Sequence, residues 1–262
     1  MTHESFGDLE KALRDKKNAG NKLLVPYLTA GLGNWVEALH AVIDAGADAV
    51  EVGIPFSDPI MDGPIIQEAS QKALEAGATP AGILSELRRS EFAVPIAIMT
   101  YYNIVHHAGH DRFAKELADC GVSGSIIPDL QLDEAGEWME SARENGIDNV
   151  MMAAPSTSPE RLCRLADHSR GFVYGIGLMG VTGVRNSLAD SASEIARRLK
   201  AYTDKPVLVG VGVSTTEQAV QVSRIADGAI VGSALVRRLL AGGGPQGAFD
   251  LMSEFRNALD GK

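Results

Sequence analysis

Short runs of aliphatic and β-branched residues recur along the chain: KLLVPYL from Lys22, ADAVEVGI from Ala47, PIAIMTY from Pro95 and SGSIIPDL from Ser123. Four more follow: NVMMAAP from Asn149, GFVYGIG from Gly171, KPVLVGVG from Lys205 and DGAIVGS from Asp227. Each has the length and make-up of a buried strand. Between these runs the apolar residues fall three or four apart, as at Leu39, Val42 and Ile43, or Phe113, Leu117 and Cys120. Leu162 and Leu165, then Ile195, Leu199 and Tyr202, then Ala219, Val222 and Ile225 repeat the pattern. Such spacing lines one face of a helix and leaves the charged residues on the other.

Glycine punctuates the repeat. DAGADAVEV, DCGVSGSII and ENGIDNVMM each place one just before a strand, so Gly46, Gly121 and Gly146 read as left-handed helix C-caps. Eight strands alternating with helices predict a parallel α/β fold, a single (β/α)8 barrel, because a closed parallel sheet needs helices over its outer face. An open doubly wound sheet is the runner-up. Leu9 and Leu13 in the charged N-terminal stretch have helical spacing and add an extra N-terminal helix. The Gly242 to Pro245 cluster reads as one loop before a last helix containing Phe249, Met252 and Phe255. No linker or composition break divides the sequence, so residues 1–262 are expected to form one domain.

Composition narrows the partners. The 262 residues are 45% hydrophobic with a formal charge of -10, which argues against a nucleic-acid or acidic-membrane partner. An anionic substrate must then be met locally, by backbone N–H groups at glycine-rich turns and helix starts. No apolar run reaches the roughly 18 residues of a membrane span, and the N-terminus lacks the apolar core of a secretion signal. Cys120 and Cys163 fit neither a disulfide framework nor a zinc pattern, and a reducing cytoplasm suits them.

The stretch AVEVGIPFSDPIMDGP, residues 49–64, carries the most distinctive chemistry. Strand alternation puts Val50, Val52 and Ile54 on one face and Ala49, Glu51 and Gly53 on the other. The first set suits packing under the outer helices, so Glu51 is expected to point into the barrel between two of the smallest residues. Buried there, the carboxyl either takes up a proton, as a general acid–base group would, or meets a distant Lys or Arg. Asp58 and Asp62 lie past the strand's C-terminal end, where barrels of this kind assemble their active sites. Both also fit plain turn chemistry in SDP and DGP. The interval from the second strand to the third is the longest, which favours a functional loop there.

GVGVSTTEQA after the seventh strand and GSALVRRLL after the eighth each open a helix with small residues. Gly212, Gly232 and Ser233 are therefore candidates for a phosphate seat, or else let the backbone turn tightly. GIGLMG at 175–180 matches a dinucleotide motif only formally. No helix start follows it and Glu194 falls in a helical pattern, so a glycine-rich lid is the better reading. In HHAGHDRF, His106, His107 and His110 read as a solvated loop and not a metal site, because Gly109 interrupts the helical spacing that zinc ligands need.

Together these strings resemble one family, the alpha subunit of tryptophan synthase. The resemblance rests on VPYLTAG from Val25, AGADAVEVGIPFSDPIMDGPIIQ from Ala45, MTYYN from Met99 and IIPDL from Ile126. GFVYGIGLMGVTG from Gly171, GVGVS from Gly210 and VGSALV from Val231 complete it. It implies a barrel lyase for tryptophan biosynthesis that cleaves indole-3-glycerol phosphate to indole and glyceraldehyde 3-phosphate with no metal or cofactor of its own. On that resemblance Glu51 is the acid–base group, and Asp62 binds the indole N–H and stabilises the charge on the ring. Tyr174 and Thr182 support the pair and the lid. Gly183, Gly212, Gly232 and Ser233 bind phosphate, while Tyr27, Ile66, Met99, Ile126 and Val211 line the indole pocket.

The family also works with a beta subunit, as an αββα heterotetramer in which the partner alone carries pyridoxal phosphate. This chain departs from the family pattern at GLGN after the first strand, at Gln131 in PDLQ and at GLM in the lid. These changes bear on the surface that meets the partner. A stand-alone paralogue releasing free indole for another pathway is the alternative they keep open.

Overall fold

The structure is a computed structural model and describes residues 7–177, 188–210 and 212–262. Eight parallel strands pair in sequence order and close, β8 on β1, into a barrel. They are β1 (Leu23–Thr29), β2 (Val50–Gly53), β3 (Ile96–Met99), β4 (Val122–Ile126), β5 (Asp148–Ala153), β6 (Val173–Ile176), β7 (Val207–Gly210) and β8 (Gly228–Val231). The helix preceding them is α1 (Asp8–Asn18). Around the barrel run α2 (Trp35–Asp44), α3 (Pro64–Glu75), α4 (Pro80–Arg88), α5 (Tyr102–Ala108), α6 (His110–Asp119) and α7 (Gly136–Glu144). α8 (Pro159–His168), α9 (Leu188–Lys200), α10 (Thr216–Ser223), α11 (Ser233–Leu240) and α12 (Gly244–Leu259) complete the ring. The eight-stranded barrel and the extra N-terminal helix are as the hydrophobic pattern predicts.

Two apolar layers follow from strand alternation. Val50, Val52 and Ile54 join Ile96, Ile98, Val207 and Val209 against the outer helices. The inward set packs separately: Leu23, Val25, Ala49, Ala97, Ile126, Val150, Phe172, Tyr174, Leu208 and Ile230. Leu9 and Leu13 of α1 are fully buried in that inner layer, so α1 closes the floor of the barrel. Each buried leucine contributes about 1.5–3 kcal/mol. Space for the plug comes from missing side chains: a Cβ on Gly124 would lie 2.5 Å from Leu9, and one on Gly171 2.8 Å.

Polar groups fix the register of the plug. The Asp148 carboxylate accepts the Glu10 N–H at 2.9 Å, in the first turn of α1, where unpaired backbone donors favour an anion. The buried Glu10 carboxylate accepts from Arg14 Nε at 2.8 Å and from the Gly171 N–H at 3.2 Å. With its floor sealed, the barrel can open only at the C-terminal ends of its strands.

Gly46, Gly121 and Gly146 hold φ of 101°, 73° and 72°, the left-handed conformation that ends a helix. The long interval after β2 holds two helices, α3 and α4, behind a ten-position loop at 54–63. The three histidines depart from expectation. His106 and His107 lie in the last turn of α5 and His110 begins α6, so the segment is a helix–helix junction and not a loop. Gly109, at φ 85°, turns the chain between the two helices, and the His110 Nε2 is 3.1 Å from the Tyr102 hydroxyl. Among the described residues no group of three or more His, Cys, Asp or Glu is placed to hold a metal ion.

Candidate active site

The short strand β2 sends Glu51 into the lumen. Tyr27 and Ala97 are its register partners on β1 and β3, and Ala49 and Gly53 flank it on its own strand. Three small neighbours and one ring leave room above the carboxyl. Glu51 is fully buried, and neither carboxyl oxygen has a hydrogen-bond partner among the described residues. Among the described residues, the distant lysine or arginine that a structural role demands does not reach it. Burial without compensation disfavours the anion and pushes the Glu51 carboxyl well above its ordinary value of 4.5.

Two tyrosines wall this space, each lying across a glycine. A Cβ on Gly53 would collide with the Tyr27 hydroxyl end, and one on Gly210 with that of Tyr174. Any larger residue at either position displaces a ring, so these glycines supply room and not turn geometry. Burial raises both phenols, and the Glu51 and Asp62 carboxyls add to the effect in each case. Glu51, Asp62, Tyr27 and Tyr174 therefore share one electrostatic environment.

Asp62 sits in the loop at the mouth, half-buried. Desolvation pushes its carboxyl up to about 6, and the Tyr101 hydroxyl facing it opposes the rise. Burial and the Asp62 charge in turn push Tyr101 up to about 12. Asp58 lies exposed in the same loop, where its side chain accepts from Ser57 Oγ at 2.6 Å and its carbonyl from the Ile60 N–H at 2.9 Å. That is the turn chemistry open to it from the sequence.

The apolar residues expected around an aromatic substrate form one continuous wall. Tyr27 and Ile66 pack with Ala69 and Val236, and Met99 joins this group to the lumen cluster holding Ile126 and Tyr174. Val211, Thr182 and Gly183 lie outside the described residues. At the anion end, the two candidate helix starts differ. The Gln218 carboxamide accepts the Ser214 and Thr215 N–H groups, and Thr215 caps Gln218 in return, so α10 satisfies its own first turn. α11 has Gly232 as its N-cap, with no side-chain cap, and Ser233 as its first residue. Among the described residues no side chain caps its first turn, and Gly212, at φ 89°, turns the neighbouring loop.

Sequence reasoning overlooked Tyr101 and Gly210, whereas Gly53 is the small inward neighbour of Glu51 that strand alternation predicts. The signal for Tyr101 was present: it follows the inward Met99 by two positions in MTYYN, on the same parity.

Comparison with known proteins agrees with this geometry. A family profile described as "Tryptophan synthase alpha chain" matches residues 13–255. The tryptophan synthase alpha chain of Streptomyces coelicolor is 44% identical over 237 residues, 88% of each chain. That of Microcystis aeruginosa is 39% identical over 255 residues, covering 95% of this chain and 96% of the relative. Among solved structures, Mycobacterium tuberculosis tryptophan synthase superposes with a TM-score of 0.88 at 38% identity, over 97% of this chain and 99% of that one. The alpha subunit from Legionella pneumophila gives 0.86 at 32% identity, over 98% and 100%. A profile spanning nearly the whole barrel and relatives well above 30% identity lead to one conclusion: this chain belongs to the tryptophan synthase alpha chain family.

Proposed function

We propose that this chain is the alpha subunit of a tryptophan synthase, a carbon–carbon lyase that cleaves indole-3-glycerol phosphate to indole and glyceraldehyde 3-phosphate. The observation that carries the reading is Glu51, a fully buried carboxyl with no hydrogen-bond partner among the described residues, at the base of a tyrosine-walled lumen. Its raised affinity for protons suits it to act as a general acid. Protonated Glu51 delivers its proton to indole C3, which leaves a cationic ring. The carbon–carbon bond then breaks as the adjoining glyceryl hydroxyl releases its proton to the Glu51 carboxylate. One proton goes out and one returns, so the group ends as it began.

Asp62, ionised above about pH 6, accepts from the indole N–H and stabilises the ring while it is positive. Tyr27, Ile66, Met99, Ile126 and Val211 hold the indole, Tyr174 and Thr182 border the reacting atoms, and Gly183, Gly212, Gly232 and Ser233 seat the phosphate. Residues 1–262 act as one barrel domain, in the cytoplasm. No helix of the described residues is long and apolar enough to cross a membrane.

A beta subunit is the partner, and we assign an αββα assembly in which only that subunit carries pyridoxal phosphate. Ile60 and Met61, 82% and 53% exposed, project from the Asp62 loop beside a cleft of ≈ 370 Å³ between that loop and α3. An exposed apolar pair next to the catalytic loop suits a partner that senses the site. The test is indole release by the purified chain with and without a beta subunit. Release that rises on addition supports this reading; full activity alone, unchanged by the partner, makes it a stand-alone lyase.

A further inference from the structure

The loop that carries Asp62 is held from outside by a side chain to which nothing above assigns a role. Tyr101 follows β3, is 5% exposed and stacks its ring on Phe56 at 5.0 Å between centroids and 23° between planes. Its hydroxyl oxygen accepts the Met61 N–H at 3.0 Å, one residue before Asp62. A phenol has one proton and two lone pairs, so accepting from the backbone leaves the O–H free to donate. The group it faces is the Asp62 carboxylate. Within the loop, Asp62 is otherwise held through its backbone: its N–H donates to the Pro59 carbonyl at 3.0 Å and its carbonyl accepts from Gln67 Nε2 at 2.9 Å. Neither contact fixes the carboxylate.

We propose that Tyr101 is a positioning residue for Asp62: its hydroxyl bridges the Met61 backbone and the Asp62 carboxylate, tying the mouth loop to β3 and aiming the carboxylate over the lumen. The proposal rests on the reading of Asp62 as the acceptor of the indole N–H. Phe56 stacking keeps the phenol in place, so the clamp exists before substrate arrives. Loop position and carboxylate position become one variable, which couples whatever touches Ile60 and Met61 to the group that steadies the ring.

The titratable groups that face Asp62 among the described residues are Tyr101, Tyr27 from β1 and Tyr174 from β6. Both of the latter are neutral phenols across the working range, so Tyr101 is the donor to isolate. The experiment is a carbon-13 carboxyl NMR titration of Asp62 in the substrate-free protein, in the parent and in Tyr101→Phe, which keeps the ring and its stacking. A hydrogen bond to the charged form holds a carboxyl down, so its loss is expected to move the Asp62 midpoint up by about one pH unit. An unmoved midpoint overturns the proposal. Because no substrate is present, the titration is independent of the role of Asp62 in cleavage, which an Asp62→Asn assay decides separately.

Discussion

Glu51→Gln is expected to cleave indole-3-glycerol phosphate about 10³-fold more slowly than the parent, the scale of a lost general acid–base group. It is also expected to be no less stable. Glutamine has the shape of a protonated glutamic acid but cannot deliver a proton to indole C3 or accept one from the glyceryl hydroxyl. The stability argument has a definite sign. The folded Glu51 carboxyl holds its proton well above its ordinary value of 4.5, because burial disfavours the anion. Across the window from about 4.5 up to that raised value, the folded protein binds more protons than the unfolded chain. Stability of the parent therefore falls as pH rises through the window, and Glu51→Gln lacks that fall. Denaturant melts of both proteins at several pH values check it, beside single-turnover cleavage. A variant that lost stability and activity together would mark Glu51 as a structural residue.

The second large effect belongs to Asp62. Asp62→Asn is expected to slow cleavage by about 10²–10³-fold, the cost of removing one group aimed at charge that develops in the transition state. The amide can still accept from the indole N–H, so substrate affinity should change less than turnover. With burial pushing Asp62 up to about 6, parent activity should decline as pH drops through 6 and the carboxylate is neutralised. Glu51 sets the opposite limb, at the higher pH where it no longer holds its proton. The pH profile of the parent is thus a bell, and Asp62→Asn should lose the acid limb. Persistence of that limb in the variant would assign it to another group.

Much of this was legible from the pattern of residues. Alternation over 49–54 put Glu51 inside and the valines outside, and the structure has them so. Glycine placement gave the helix ends, and Leu9 with Leu13 gave the extra helix, though not that it seals the barrel floor. What escaped the sequence depends on contacts between distant residues. Gly210 looks like an ordinary strand glycine until the ring of Tyr174 lies across it, and nothing in the sequence says that Tyr27 lies across Gly53. Tyr101 acquires meaning only when a loop forty positions earlier folds onto its hydroxyl. The histidine segment misled because Gly109 breaks a helix in sequence terms, while in three dimensions it joins two helices, and the His110 ring packs on Tyr102 and Trp138.

The same comparison separates the two helix starts. GVGVSTTEQA and GSALVRRLL look alike as small-residue turns, yet the first closes on its own Thr215 and Gln218 and the second stays open. Only the hydrogen-bond accounting of the folded chain distinguishes a self-capped helix from one whose first turn has no side-chain cap.

The central claim, that Glu51 waits in the lumen as a neutral acid, is open to direct measurement. An infrared difference spectrum of the substrate-free parent against Glu51→Gln at neutral pH should show the carbonyl band of one protonated carboxylic acid, present in the parent and missing from the variant. A difference spectrum that instead shows the bands of one ionised carboxylate would contradict the account.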